Sequence, residues 1–215
     1  MERLTKKNGF HCLMLFILMV ILTGIPLLFP NRLQLMALGL FLPCMFILEF
    51  FIIIPIYILF FRKKKGFILG NFTFLQFLFY LSIILLAQFI IPIALSMTEE
   101  VHVNTQHPDV PIYALILSQI SYILMVPVYE EIAIRGGLFE ALNMIFRGHT
   151  PALITSLIFS LLHSQYFGFG PFLILFIISL ILISAKIRSN GLLLPILLHA
   201  SMNGIVININ YLFYH

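Results

Sequence analysis

The sequence predicts an all-α membrane protein: a polytopic bundle of about seven transmembrane helices, between six and eight. Three observations carry this. Of 215 residues, 61% are hydrophobic and only 9% charged, with a mean hydropathy of +1.10. Apolar runs of roughly 20 residues, the length that crosses a bilayer, recur along the whole chain. Basic residues fall between these runs in an alternating order. A soluble domain carries about 45–50% apolar and roughly 25% charged residues. Here 12 basic and 8 acidic side chains cannot coat a water-facing surface for 24.7 kDa. The composition thus excludes a soluble globular enzyme and a disordered chain. Net charge +4 and pI 9.2 would suggest nucleic acid in a soluble protein. Lys and Arg that flank membrane spans set topology instead, so no nucleic-acid partner is expected.

Each element has its own justification. The first span, 10–30, follows Arg3, Lys6 and Lys7. It is too long for the apolar region of a signal peptide and lacks a small-residue cleavage site, so it reads as an uncleaved helix. The second, 36–60, carries Pro43, Pro55 and a lone Glu49, and ends at the Arg62 to Lys65 run. That run reads as a topology anchor beside anionic lipid. The third, 67–97, contains Pro92 and leads into loop 98–111, which holds Glu99, Glu100 and Asp109 but no Lys or Arg. The fourth lies within 112–146 and contains Pro127; the fifth, sixth and seventh are 150–167, 171–187 and 191–213. Prolines inside these runs are tolerated as kinks. Tyr166 to Pro171 reads as a tight extracytoplasmic turn. With the N-terminus in the cytoplasm, ten of the twelve basic residues fall inside; Arg32 falls outside and Arg135 lies within a helix. That asymmetry is the positive-inside pattern. No repeat or linker appears, so residues 1–215 read as one integral-membrane domain. Cys12 and Cys44 lie in apolar runs and read as two buried thiols. His102, His107 and His149 read as solvated loop residues.

Polar groups inside apolar helices are costly and usually face a bundle interior or a wet cavity. Four clusters qualify. In Glu130-Glu131-Ile132-Ala133-Ile134-Arg135, Glu131 and Arg135 are four apart and form an intrahelical ion pair. Successive residues diverge by about 100° around a helix, so Glu130 points elsewhere, unpaired by its own helix. In Phe159-Ser160-Leu161-Leu162-His163 an imidazole sits in an otherwise apolar helix, and Phe159 reads as packing that keeps the cavity dry. His199 and Asn203 share one helical face. Glu49 has no evident partner and reads as a polar contact of the bundle. Measured from the cytoplasmic ends at 1.5 Å per residue, Glu130, His163 and His199 lie roughly 24, 20 and 13 Å deep, provided 112–146 is one long kinked helix.

Glu130-Glu131-x-x-x-Arg135, Phe159-x-x-x-His163 and His199-x-x-x-Asn203 resemble the three motifs of the CAAX protease and bacteriocin-processing family, also called the Abi family. Ser189 to Ile196 resembles that family's lead-in to its last motif. The resemblance spans 112–205, the expected catalytic core. It implies an intramembrane endopeptidase in which Glu130 and His163 activate water. By the same resemblance His199 and Asn203 stabilise the oxyanion, with Glu131 and Arg135 in support. The residue types suit the chemistry: peptide hydrolysis needs a base for water, a proton donor for the leaving amine and donors aimed at the tetrahedral oxygen. No Gly-x-Ser-x-Gly or His-Glu-x-x-His motif competes. No cofactor is expected. Glu130, His163 and His199 do form a His₂Glu set, however, so a zinc-dependent protease stays open. The expected substrate is a membrane-associated or amphipathic peptide, with bacteriocin or signal-peptide processing as the role and the bacterial cytoplasmic membrane as the site. A non-catalytic immunity or peptide-binding protein is the rival reading. A small transporter is a third, for which the inverted repeats are missing.

Overall fold

The computed structural model describes residues 6–94, 110–163 and 168–214. Among these residues the regular secondary structure is all helical, in eight helices with no strand. Helix α1, Lys6–Gly24, runs on as a tight 3₁₀ turn, Ile25–Leu28, around Pro26. Short α2, Arg32–Ala37, precedes α3, Phe41–Phe61. The second expected span therefore begins later than residue 36. Gly39, at φ +67°, breaks the helix there, a conformation glycine adopts without steric cost. Then come α4, Phe74–Ala94, and the 32-residue α5, Ile112–Asn143. Last are α6, Thr150–Leu162, α7, Phe169–Ser189, and α8, Leu193–Tyr214. Five of the helices are long and apolar enough to cross a membrane; α6 and most of α8 are shorter apolar helices. The expected polytopic helical bundle is what the chain forms. Loop 98–111 is described only from residue 110 on, and residues 166 and 167 of the expected turn, with His102 and His107, lie outside the described residues.

The third span begins at Phe74 and not at residue 67, for a tertiary reason. Residues 68–71 form a strap along the α7–α8 turn: the Leu192 and Leu193 amides donate to the Ile68 and Leu69 carbonyls at 2.9 Å, and Asn71 donates to the Ser189 carbonyl at 3.0 Å. The backbones approach so closely that a Cβ on Gly191 would stand 2.2 Å from the Leu69 oxygen, and one on Gly70 2.4 Å from the Ser189 oxygen. Asn190 closes α7 in the left-handed region at φ 51°. The same end of the bundle holds the Lys186–Glu140 ion pair, joining α7 to α5. The basic segments Arg62 to Lys65, Arg147 and Arg188 therefore gather at one end, as the positive-inside reading requires of them.

Helix α5 is the spine of the bundle. It is one long helix with two wider π-helical stretches, Ser121–Met125 and Glu131–Leu138. The first precedes Pro127, whose missing amide and bulky ring cannot be accommodated in a regular turn. The second carries the first motif. Gly136 and Gly137 let neighbours in: a Cβ on Gly137 would lie 2.9 Å from the Cys12 carbonyl of α1, and Gly136 packs on Phe67. Small residues that permit such close approach are a membrane-helix packing device. One core joins α1, α3 and α5, with Leu192 and Ile196; a second joins α4, α7 and α8 through Ile84, Ile178, Leu182 and Leu198. Cys12 is buried as expected. Cys44 is exposed, which corrects its reading as a buried thiol: it sits on the outer face of α3.

Candidate active site

The first motif lies at the start of the second π-helical stretch. Glu131 and Arg135 are both fully buried and pair at 3.0 Å, the i,i+4 contact read from their spacing. The carboxylate does more than that. Glu131 Oε1 also lies 2.9 Å from Nδ1 of His199, so one oxygen is shared between a guanidinium on α5 and an imidazole on α8. Arg135 Nη2 donates to Ser179 Oγ of α7 at 3.1 Å, and its guanidinium stacks 4.5 Å from the ring of Phe159 on α6. Four helices thus meet at one buried charge.

Phe159 is the hub of the second motif. Its ring touches His163 at 4.5 Å between centroids and meets His199 edge-on at 6.3 Å. His163 is not inside a regular helix, as the sequence suggested, but caps the end of α6 at φ −101°, ψ 30°. Its ring lies against Phe159, with Nδ1 turned back to the Phe159 carbonyl at 2.8 Å. A carbonyl oxygen only accepts, so Nδ1 of His163 carries the proton and Nε2 of the neutral ring is a bare acceptor. The same logic applies to His199: paired with a carboxylate already bound to Arg135, its Nδ1 is the donor. Asn203, one turn along α8, donates from Nδ2 to the Tyr122 carbonyl at 3.1 Å, in the first π-helical stretch. That stretch departs from the regular i→i−4 ladder, which opens a backbone carbonyl to a side chain.

Glu130 stands apart from this network. It is half-buried, and its Oε2 is enclosed without a hydrogen-bond partner. No direct hydrogen bond joins it to His163, His199 or Asn203 among the described residues. The structure therefore brings Glu131, Arg135, Phe159, His163 and His199 into one contiguous set, adds Asn203 beside it, and leaves Glu130, the residue before Glu131, with an enclosed Oε2 that no hydrogen bond engages. Three or more His, Cys, Asp or Glu side chains grouped as a metal site do not occur among the described residues, Glu130, His163 and His199 included.

Sequence reasoning missed three contacts. The Glu131–His199 bond joins residues 68 apart and has no local signature. Ser179 gave no signal beyond being one of few hydroxyls in α7. Glu49, read as lacking a partner, has one: it is buried and lies 2.5 Å from the Thr23 hydroxyl of α1.

Fold and site together define a polytopic helical membrane protein with a buried acid, base and amide cluster spanning four of its helices. Residues 112–205 match the family model described as type II CAAX prenyl endopeptidase Rce1-like, which is the family that the three motifs resemble. The chain is also similar to the "Uncharacterized 24.3 kDa protein" of Escherichia coli, 34% identical over 125 residues. The aligned region is 55% of this chain and 56% of that protein, so the chain spans little more than half of its relative's length. No solved structure matches significantly.

Proposed function

We propose that the protein is an intramembrane endopeptidase that cleaves a membrane-associated or amphipathic peptide without a metal. The observation that carries this reading is the tethering of both histidines through Nδ1, which leaves both Nε2 atoms for chemistry. Water between Glu130 and His163 loses a proton to the carboxylate or to Nε2 and attacks the scissile carbonyl carbon. The tetrahedral oxyanion then needs donors. Asn203 has a second amide hydrogen beyond the one given to Tyr122. His199 is held through Nδ1 by Glu131, which fixes the direction of its Nε2 edge. Collapse of the intermediate breaks the C–N bond as the proton held by Glu130 or His163 passes to the leaving amine. The family supports an endopeptidase in general terms; bacteriocin or signal-peptide processing is our extension to this chain. The N-terminus is placed in the cytoplasm on the distribution of Lys and Arg.

The test is cleavage of a quenched amphipathic peptide by pure protein in liposomes, with Glu130→Ala and His163→Ala beside the wild type. Both variants are expected to be silent. Cleavage by Glu130→Ala at the wild-type rate would remove the protease reading in favour of a peptide-binding or immunity protein.

A further inference from the structure

The outer face of α4 and α7 carries a groove of about 410 Å³ at the end of the bundle where the basic segments gather. Thr73, Leu75, Gln76, Phe79, Tyr80 and Arg188 line it, and none of these is acidic. The Tyr80 and Ser184 hydroxyls share a 3.1 Å hydrogen bond that ties α4 to α7 there. Arg188 follows Ser184 by one turn and so projects from the same side of α7. Ser179, which meets Arg135, lies nine residues before Arg188, half a revolution around the helix. The groove and the candidate active site therefore occupy opposite faces of α7.

The rim of the groove is a set of donors. The Thr73 amide donates to Gln76 Oε1 at 3.0 Å, and the Gln76 amide donates to Thr73 Oγ1 at 3.2 Å. This reciprocal cap occupies the acceptor atoms of both side chains and holds them in place. The Gln76 NH₂ group and the Thr73 hydroxyl proton are left to donate outward. Arg188 is exposed and has no ion-pair partner among the described residues. Of the carboxylates described, Glu49 is held by Thr23, Glu130 and Glu131 belong to the candidate active site, and Glu140 pairs with Lys186. The rest of the lining is apolar. Leu75 and Phe79 are 76% and 59% exposed on α4, the least buried of the five candidate spans. Surfaces of that kind face hydrocarbon, so an occupant reaches them from the bilayer.

A cationic, donor-only rim beside a hydrocarbon-facing wall complements the two ends of one molecule. The geometry points to this groove as the site of an anionic phospholipid. Its acidic headgroup sits on Arg188, Gln76 and Thr73, and the first part of an acyl chain lies along Leu75 and Phe79. From Thr73 to Tyr80 the groove follows α4 for roughly 10 Å, at 1.5 Å per residue. Basic pockets between membrane helices on the cytoplasmic side take anionic headgroups in this way. The site stands whether or not the protein cleaves peptides.

The experiment titrates pure protein in detergent with phosphatidylglycerol and with phosphatidylcholine of identical chains. Bound lipid is read by native mass spectrometry and helix melting by circular dichroism. Wild type is expected to hold one phosphatidylglycerol about fivefold more tightly than phosphatidylcholine, the scale of one Arg at an anionic surface. Arg188→Gln abolishes that preference. Leu75→Trp, which fills the groove without altering charge, abolishes it too. Arg62→Gln removes the same charge outside the groove and keeps it. All three positions are exposed, and helix content equal to wild type shows that the variants fold. An equal loss in Arg62→Gln would mean diffuse surface attraction, and an unchanged preference in Leu75→Trp would mean that no chain is seated; either overturns the site. So does a wild type without preference. Glycerol phosphate, the headgroup without chains, is expected not to compete; displacement of the lipid by it would make the ligand a free anion and overturn the lipid assignment.

Discussion

Replacing Arg135 with leucine removes the cation of a fully buried ion pair and leaves Glu131 charged in the bundle interior. The lost contacts are the 3.0 Å pair to Glu131, the 3.1 Å bond to Ser179 and the 4.5 Å stack on Phe159. Breaking one side of a buried pair costs about 3–5 kcal/mol, because the surviving charge is uncompensated. Each 1.36 kcal/mol is a factor of ten, so the unfolding equilibrium shifts by roughly 10²–10⁴. The structure adds a second expectation. Arg135→Leu combined with Glu131→Gln removes both charges, and replacing a whole buried pair by neutral groups is often close to neutral. The double variant is therefore expected to regain most of the stability lost in Arg135→Leu. The assay is helical circular dichroism during heating or denaturant titration in detergent, which suits an all-helical protein without tryptophan. Losses that simply add in the double variant, or an Arg135→Leu variant as stable as wild type, would refute the shared-charge account of this site. Activity separates the two roles of Glu131: the double variant folds yet lacks the carboxylate that orients His199, so its kcat stays low.

The other predictions follow from the same geometry. Glu130→Gln removes a half-buried carboxylate with an unpartnered oxygen; it is expected to change stability by less than about 1 kcal/mol while abolishing cleavage, measured as melting and rate on one preparation. Asn203→Ala removes the donor proposed for the oxyanion and is expected to lower kcat about 10²–10³-fold, read from steady-state kinetics in liposomes. Gly137→Val forces a side chain against the Cys12 carbonyl of α1, where even a Cβ would stand at 2.9 Å; overpacking of this kind costs about 1–3 kcal/mol and is read as a lower melting temperature. Chelators are expected to leave cleavage intact; loss of activity in chelator that zinc restores would overturn the metal-free mechanism.

Much of the site was legible because it is local. The spacing of Glu131 and Arg135, the shared face of His199 and Asn203, and the continuity of Ile112–Asn143 all follow from helical periodicity. What was not legible is tertiary. Nothing near Glu131 in sequence announces that His199 will take its second lone pair, and nothing near Glu49 announces Thr23. The start of α4 at Phe74 is decided by the α7–α8 turn pressed against residues 68–71, more than 100 residues away. His163 illustrates a finer limit: an apolar run predicts that a helix exists better than where it ends, and here a motif residue sits on that end.

The strap beneath the α7–α8 turn has a consequence for how this chain tolerates change. Gly70 and Gly191 each abut the other's backbone, within 2.7 Å of a would-be methyl group. Neither can be exchanged first while the other waits, since enlarging one only removes space its counterpart already lacks. A saturation library scored for survival should find both positions locked to a single amino acid, as stringently as a catalytic side chain would be. Such a pair would read as an enzymatic hot spot in any mutational profile while serving only as a weld.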